Sequence, residues 1–255
     1  MGKIIAFSNQ KGGVGKTTTC VNLTANLAKK GFKCLIVDID PQGNTTTGLG
    51  FSKVDIETSL YDVIIDFMPA ESAIVKTDFE NLDLLPSSID LAGGEVELAK
   101  RKEREKVLKK VLEPLRDKYD YITIDCPPSL GLLTVNVLTA ADEVLVPIQS
   151  EYYALEGLSQ LMNTIKIIRS QLNANLKING VLVTMNDSRA LISRQITAEI
   201  RSLFPKAVYQ TVIPRNIRLA EAPSHGKPIS LYDRSCKGAK AYADFTEEFL
   251  ERENK

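Results

Sequence analysis

The chain has 255 residues, 44% of them hydrophobic and 25% charged, with Lys+Arg and Asp+Glu balanced at 32 each. That balance excludes a global charge bias toward polyanions, so any nucleic-acid contact needs a local patch. Four scattered cysteines (Cys20, Cys34, Cys126, Cys236) and the single His225 argue against structural zinc, and no apolar run of about 18 residues predicts a membrane span.

A strand is predicted almost at once, over Ile4-Ile5-Ala6-Phe7, with no basic and apolar leader pattern ahead of it. Next comes Gln10-Lys11-Gly12-Gly13-Val14-Gly15-Lys16-Thr17-Thr18. This nearly spells the phosphate-binding loop G-x-x-x-x-G-K-[ST], but Gln10 replaces the first glycine and Lys11 adds a second lysine. Val21, Leu23, Ala25, Leu27 and Ala28 predict a helix over Thr19 to Lys30, stopped by Gly31. A glycine-rich turn between strand and helix lets backbone N–H groups converge on phosphate oxygens. Lys16 then reaches the β- and γ-phosphates, and the Thr17 hydroxyl binds Mg²⁺. The plain alternative, a glycine turn with solvated lysines, fails to explain the register of strand, loop and helix.

Strands follow at Lys33 to Asp38 and Leu82 to Leu85, and a charged helix is predicted from Glu95 to Arg116. Tyr121 to Asp125 and Glu143 to Ile148 read as strands around a helix near Leu130 to Ala141. Leu155 to Ile168 reads as a helix, Ile178 to Val183 as a strand, Ser193 to Leu203 as a helix, Thr211 to Ile213 as a strand and Ala239 to Leu250 as a helix. Such alternation predicts an α/β fold: one domain over residues 1–255, with a doubly wound, mainly parallel sheet flanked by helices.

Ligands of such sheets sit beyond the carboxyl ends of the strands. Asp38 ends the second strand, Asp40 follows it, and Asp125 ends a third. Any one strand-end aspartate is often a turn former or helix cap. Three on the edge that carries a phosphate loop predict a site, with Asp125 holding Mg²⁺ through its water shell and Asp40 orienting an attacking water. Asp38 fits either duty, or neither. His225 suits a general base chemically, but its Gly/Pro/Ser surroundings favour a surface loop residue.

The loop Lys11 to Thr17, with Asp38-Ile39-Asp40-Pro41-Gln42-Gly43-Asn44 and Asp125-Cys126-Pro127-Pro128-Ser129, resembles the ParA/Soj chromosome-partitioning ATPases. Glu151-Tyr152-Tyr153-Ala154-Leu155-Glu156-Gly157, Val212-Ile213-Pro214-Arg215-Asn216 and Glu221-Ala222-Pro223-Ser224-His225-Gly226-Lys227-Pro228 extend the likeness to about residue 230. The resemblance implies a P-loop NTPase with a deviant Walker A loop that uses ATP and Mg²⁺. It implies an ATP-dependent homodimer in which Lys11 reaches the partner's nucleotide, Asp40 supports hydrolysis, and Pro214 and Asn216 lie against the adenine. It further implies that the ATP dimer binds double-stranded DNA without sequence preference and answers to a ParB-type protein, in the cytoplasm on the nucleoid. Read without the resemblance, Pro214 and Asn216 form an ordinary turn after a strand.

Arg189 and Arg218, and with less support Arg215, match the family's DNA-contacting surface; each also suits a solvated surface charge. If a monomer makes about three phosphate contacts and a dimer about six, the salt slope steepens from roughly −2.7 to −5.4. No arginine finger is evident, so unassisted turnover is expected near ~10⁻⁴ s⁻¹.

Relatives with the same loop do other work. A MinD-like membrane protein uses a basic amphipathic C-terminal helix, whereas Asp244 to Glu253 here is acidic and repelled by anionic lipid. Nitrogenase iron proteins need two cysteines per subunit for a cluster, and Cys126 has no upstream companion near Leu91 to Glu95. An operator-binding module ahead of the first strand has no room in this sequence.

Overall fold

The computed structural model describes residues 1–151 and 154–253. Tyr152 and Tyr153 of the family-like segment therefore lie outside the described residues.

Eight strands form one sheet: β1 (Lys3–Phe7), β2 (Cys34–Asp38), β3 (Val75–Lys76), β4 (Leu82–Leu85), β5 (Tyr121–Asp125), β6 (Glu143–Gln149), β7 (Lys177–Asn186) and β8 (Val208–Pro214). Their order is β3-β4-β2-β5-β1-β6-β7-β8. Every pairing is parallel except that of β3 with β4 at one edge. The predicted doubly wound parallel sheet is the observed one.

Period-two alternation on β1 assigns the faces. Ile4 and Ala6 enter one core, Ile5 and Phe7 the other. The first core is covered by α3 (Leu60–Ile65), α4 (Leu91–Ala99), α5 (Val107–Leu112), α6 (Leu132–Ala140), α7 (Ala154–Gln171) and α8 (Leu191–Leu203). The second is covered by α1 (Lys16–Lys29) and α10 (Lys237–Glu253), while short α2 (Asn44–Gly48) and α9 (Ile217–Glu221) lie in strand-end loops. Buried polar contacts tie α1 to α10: Thr19 Oγ1 and Tyr242 Oη are 3.1 Å apart, and Asn26 Nδ2 donates to Thr246 Oγ1 at 3.2 Å. Burying these groups with partners avoids the desolvation cost of leaving them alone and fixes the register of the two helices.

The predicted helix from Glu95 to Arg116 is broken. Helix α4 ends at Ala99, a 3₁₀ turn spans Arg104–Lys106, and α5 restarts at Val107 before a second 3₁₀ turn over Glu113–Asp117. Glu103 takes φ 53, a left-handed conformation that no α-helix continues through. Leu98, Leu108, Leu112 and Leu115 are buried on both sides of the break.

Candidate functional site

Strand β1 lies between β5 and β6, and the chain leaves it into the loop that starts α1. Gly13 (φ 73) and Gly15 (φ 83) supply the left-handed turns there. Gly15 is also the residue preceding α1, so the backbone N–H groups of Lys16, Thr17 and Thr18 open the helix. Those donors lack intrahelical partners and carry the positive end of the helix dipole. The Thr184 hydroxyl of β7 donates to the Val14 carbonyl oxygen at 2.7 Å and pins the loop from the side.

Lys16 is 7% exposed, and its Nζ donates to the Lys11 carbonyl oxygen at 3.2 Å. Burial pulls its pKa down while the nearby Asp125 carboxylate pulls it up. Asp125 is fully buried at the end of β5. Its Oδ2 accepts from Thr17 Oγ1 at 2.7 Å and Thr45 Oγ1 at 2.8 Å. Its Oδ1 has no partner, and Gln10 Nε2 at the head of the loop is a second buried orphan. Among the described residues three buried side-chain polar atoms lack a partner, and two of them belong to the P-loop segment and to the end of the adjacent strand β5. Unmet buried polar atoms mark a place that a polar ligand or its water completes. A hydrated divalent cation beside the Thr17 hydroxyl fits that donor set, because hard cations take oxygen ligands and keep several waters.

Asp38 is held by its own chain. Its Oδ2 accepts from the Thr46 backbone N–H at 2.8 Å and the Thr46 hydroxyl at 2.7 Å. Its Oδ1 accepts from the Asp40 N–H at 3.3 Å. With both oxygens occupied by its own chain, Asp38 anchors α2 and the Asp40 loop. Burial and the Asp125 charge push its pKa up; burial also raises that of Asp125, against its threonine hydrogen bonds. Asp40 is 6% exposed, and its Oδ1 accepts from the Gln42 N–H at 2.9 Å. The Ser87 hydroxyl donates to its carbonyl oxygen at 2.5 Å, which orients the loop from the far side.

Lys11 is half-exposed, and its Nζ pairs with Glu151 of the same chain at 2.5 Å. Pro214 and Asn216 line a cavity of about 430 Å³ with Gly15, Thr18, Met185 and Tyr242. That cavity continues the P-loop toward β8 and is walled largely by apolar groups, as an aromatic base requires. The Asn216 side chain also caps α9, accepting from the Arg218 N–H at 2.9 Å.

The three arginines are exposed at the surface. Arg189 is 91% exposed and pairs with Asp187 at 3.2 Å. Arg218 pairs with Glu221 at 2.8 Å and Asp233 at 3.4 Å. Arg215 is exposed beside the cavity. His225 is exposed and stacks on Tyr232, with ring centroids 4.8 Å apart, matching the surface-loop reading.

Thr45, Ser87 and Thr184 were not singled out from the sequence. Only Thr45 had a local signal, since Gly43 (φ 58) followed by Asn-Thr-Thr-Thr opens a short helix directly after the Asp40 loop.

The AAA domain family matches residues 2–178. The sporulation initiation inhibitor protein Soj of Bacillus subtilis is 56% identical over 248 residues, covering 97% of this chain and 98% of the relative. The chain belongs to the ParA/Soj family. The chromosome partitioning protein ParA of Myxococcus xanthus is 50% identical over 253 residues, covering 99% of this chain and 89% of that protein. Among solved structures, cobyrinic acid a,c-diamide synthase from Mycobacterium smegmatis, with bound ADP and magnesium, matches at TM-score 0.87 and 38% identity, covering 100% of this chain and 96% of that one. As a P-loop ATPase of the ParA/Soj family, the protein hydrolyses ATP and takes it with Mg²⁺. Among the described residues no helix is long and apolar enough to cross a membrane.

Proposed function

We propose that the chain is a single-domain nucleotide switch that dimerises on ATP and, as the dimer, holds double-stranded DNA without reading its sequence. A ParB-type partner then stimulates hydrolysis, in the cytoplasm on the nucleoid. The observation that carries this reading is the pair of orphaned polar atoms, Gln10 Nε2 and Asp125 Oδ1, around a buried Lys16. The rim is built for a charged ligand that the folded chain does not itself supply.

In this reading the N–H groups of Gly12, Gly13, Val14, Gly15, Lys16, Thr17 and Thr18 cradle the phosphates, and Lys16 balances their charge. Thr17 and Asp125 hold the hydrated Mg²⁺, which neutralises charge on the β- and γ-phosphates when bound. Asp40, fixed by Gln42 and Ser87, orients the attacking water. Pro214 and Asn216 face the adenine across the cavity they line. Lys11, on the exposed side of the loop, exchanges Glu151 for the partner's nucleotide when two chains meet. The 38% exposure of its side chain supports that freedom.

Arg189, Arg215 and Arg218 supply the phosphate contacts, and dimerisation doubles them. The MinD-like alternative is disfavoured by α10, whose Phe245 and Phe249 are fully buried against the sheet and not available to lipid. Co-sedimentation of the protein with random-sequence duplex DNA, under ATP, ADP or no nucleotide and at two salt concentrations, tests the reading. Retention only with ATP, weakening steeply with salt, is the expected result. Equal retention in all three states would overturn it.

A further inference from the structure

Thr184, Met185 and Asn186 close β7 between two regions that the proposed function treats separately. On the nucleotide side, Thr184 holds the P-loop through Val14 and Met185 lines the cavity beside Gly15. On the arginine side, the Asn186 carbonyl oxygen accepts the Arg215 backbone N–H at 3.2 Å. Asp187, next in sequence, accepts from both the backbone N–H and the guanidinium of Arg189, at 3.0 and 3.2 Å. Met185 takes φ 48, the left-handed region. A non-glycine residue persists there only where its surroundings over-determine it.

A buried hydroxyl relay sits beside it, on the next residue. Ser193 Oγ donates to Asn186 Oδ1 at 2.8 Å, and the Ser150 hydroxyl lies 2.5 Å from Ser193 Oγ. Both serines are 5% exposed. Three polar side chains meet here from three elements, the end of β6, the end of β7 and the first turn of α8. Ser150 precedes Glu151, the partner of Lys11. Ser193 sits between Arg189 and the exposed Arg194 on the stretch leading into and through α8. The relay therefore meets the nucleotide loop by two routes, Thr184–Val14 and Glu151–Lys11, and the arginine face by two others, Arg215 and α8.

We propose that the Ser150–Ser193–Asn186 relay is the joint that couples the nucleotide loop to the placement of the DNA-facing arginines. The proposal rests on the DNA reading above and assigns its regulation. Ser150 and Ser193 are positioning residues. When Lys11 leaves Glu151, or the loop closes on phosphate and pulls Thr184, the ends of β6 and β7 shift together, and the relay carries the shift to α8 and Arg215. Coupling of this kind is a free energy between two sites, so it is read as a ratio of affinities and not as an affinity.

The test uses the full chain as wild type, Ser150→Ala, Ser193→Ala and the double variant. ATP affinity, ATP-driven dimer mass and thermal midpoint are measured beside retention on random-sequence duplex DNA with ATP and with ADP. Each single variant is expected to dimerise and bind ATP as wild type does. Its ATP-over-ADP preference for DNA should fall about tenfold, equivalent to about 1.4 kcal/mol. The double variant should fall no further, because either change breaks the same relay. Unchanged preference in all variants would overturn the proposal, as would additive losses or an equal loss with both nucleotides. A wild-type chain without any ATP preference for DNA would overturn the DNA reading, and this proposal with it, before a variant is made.

Discussion

The phosphate rim and the arginine face sit at the same strand ends but are built on opposite plans. Around the P-loop, Lys16, Asp38, Asp40 and Asp125 are all less than a tenth exposed, and threonine or backbone donors fix the three carboxylates. On the arginine face, Arg189 and Arg218 are exposed and pair with surface carboxylates, Arg189 with Asp187 and Arg218 with Glu221 and Asp233. Exposed pairs of that kind contribute little to stability and dissolve readily. Buried charges are committed in advance; exposed ones stay free to exchange Asp187 or Glu221 for another anion, which the proposed function takes to be a DNA phosphate. One region suits chemistry on a defined ligand; the other suits contacts that can be exchanged.

The contrast breaks hardest at Lys16. Lys16→Ala removes the main charge partner of the phosphates, and nucleotide-dependent DNA retention should vanish with ATP binding; isothermal titration and co-sedimentation read both. Asp40→Ala should leave ATP and DNA binding in place while turnover falls at least about a hundredfold, the contribution of a group that orients or deprotonates an attacking water. Normal phosphate release would remove Asp40 from the hydrolytic role. For the other region, Arg189→Glu with Arg218→Glu should leave the ATP dimer intact by light scattering but strip DNA retention. Single Arg→Ala changes should each flatten the salt slope by roughly one or two in the dimer. Unchanged retention in the double variant would move the DNA face elsewhere.

The smallest effect tests the buried side without ligand. Asp38 has its folded pKa raised by burial and by Asp125. A carboxyl raised in the fold binds more protons there than in the unfolded chain, so its contribution is complete below the ordinary carboxylate pKa of about 4 and lost as pH rises through the raised value. Without nucleotide, stability should therefore decline toward neutral pH. Asp38→Asn keeps an acceptor for Thr46 and should flatten that decline, seen as a smaller drop in thermal midpoint between pH 5 and 8 by roughly a few degrees. An equal drop in both proteins would mean that the two carboxylates do not burden the fold.

The legible part of the molecule was the part written locally. Strand, glycine turn and helix around Lys16 are contiguous, and the aspartates end strands whose hydrophobic runs are plain. The unread part depends on neighbours that are remote in sequence. Thr184 reaches Val14 and Ser87 reaches Asp40 only because the sheet order places β7 and the end of β4 beside loops from β1 and β2. The contact of Asp38 with Thr46 was hidden for the same reason, since Thr46 belongs to a five-residue helix too short to show periodicity. The break in the 95–116 segment was hidden because Glu103, a good helix former by propensity, takes a left-handed conformation that its local sequence does not announce.

The position of β1 in the middle of the sheet has a consequence for how the protein is born. Lys3 to Phe7 pair with Tyr121 to Asp125 on one side, and Ile5 to Phe7 with Glu143 to Leu145 on the other. At ribosomal speeds of about 5–20 residues per second, the strand carrying the P-loop waits on the order of ten seconds for its first neighbour. During that interval Ile4, Ile5, Ala6 and Phe7 are an apolar edge with no partner, the kind of segment that holdase chaperones cover and that aggregates when they do not. Slowing translation before Tyr121 should lower the soluble yield more than slowing it after Leu145.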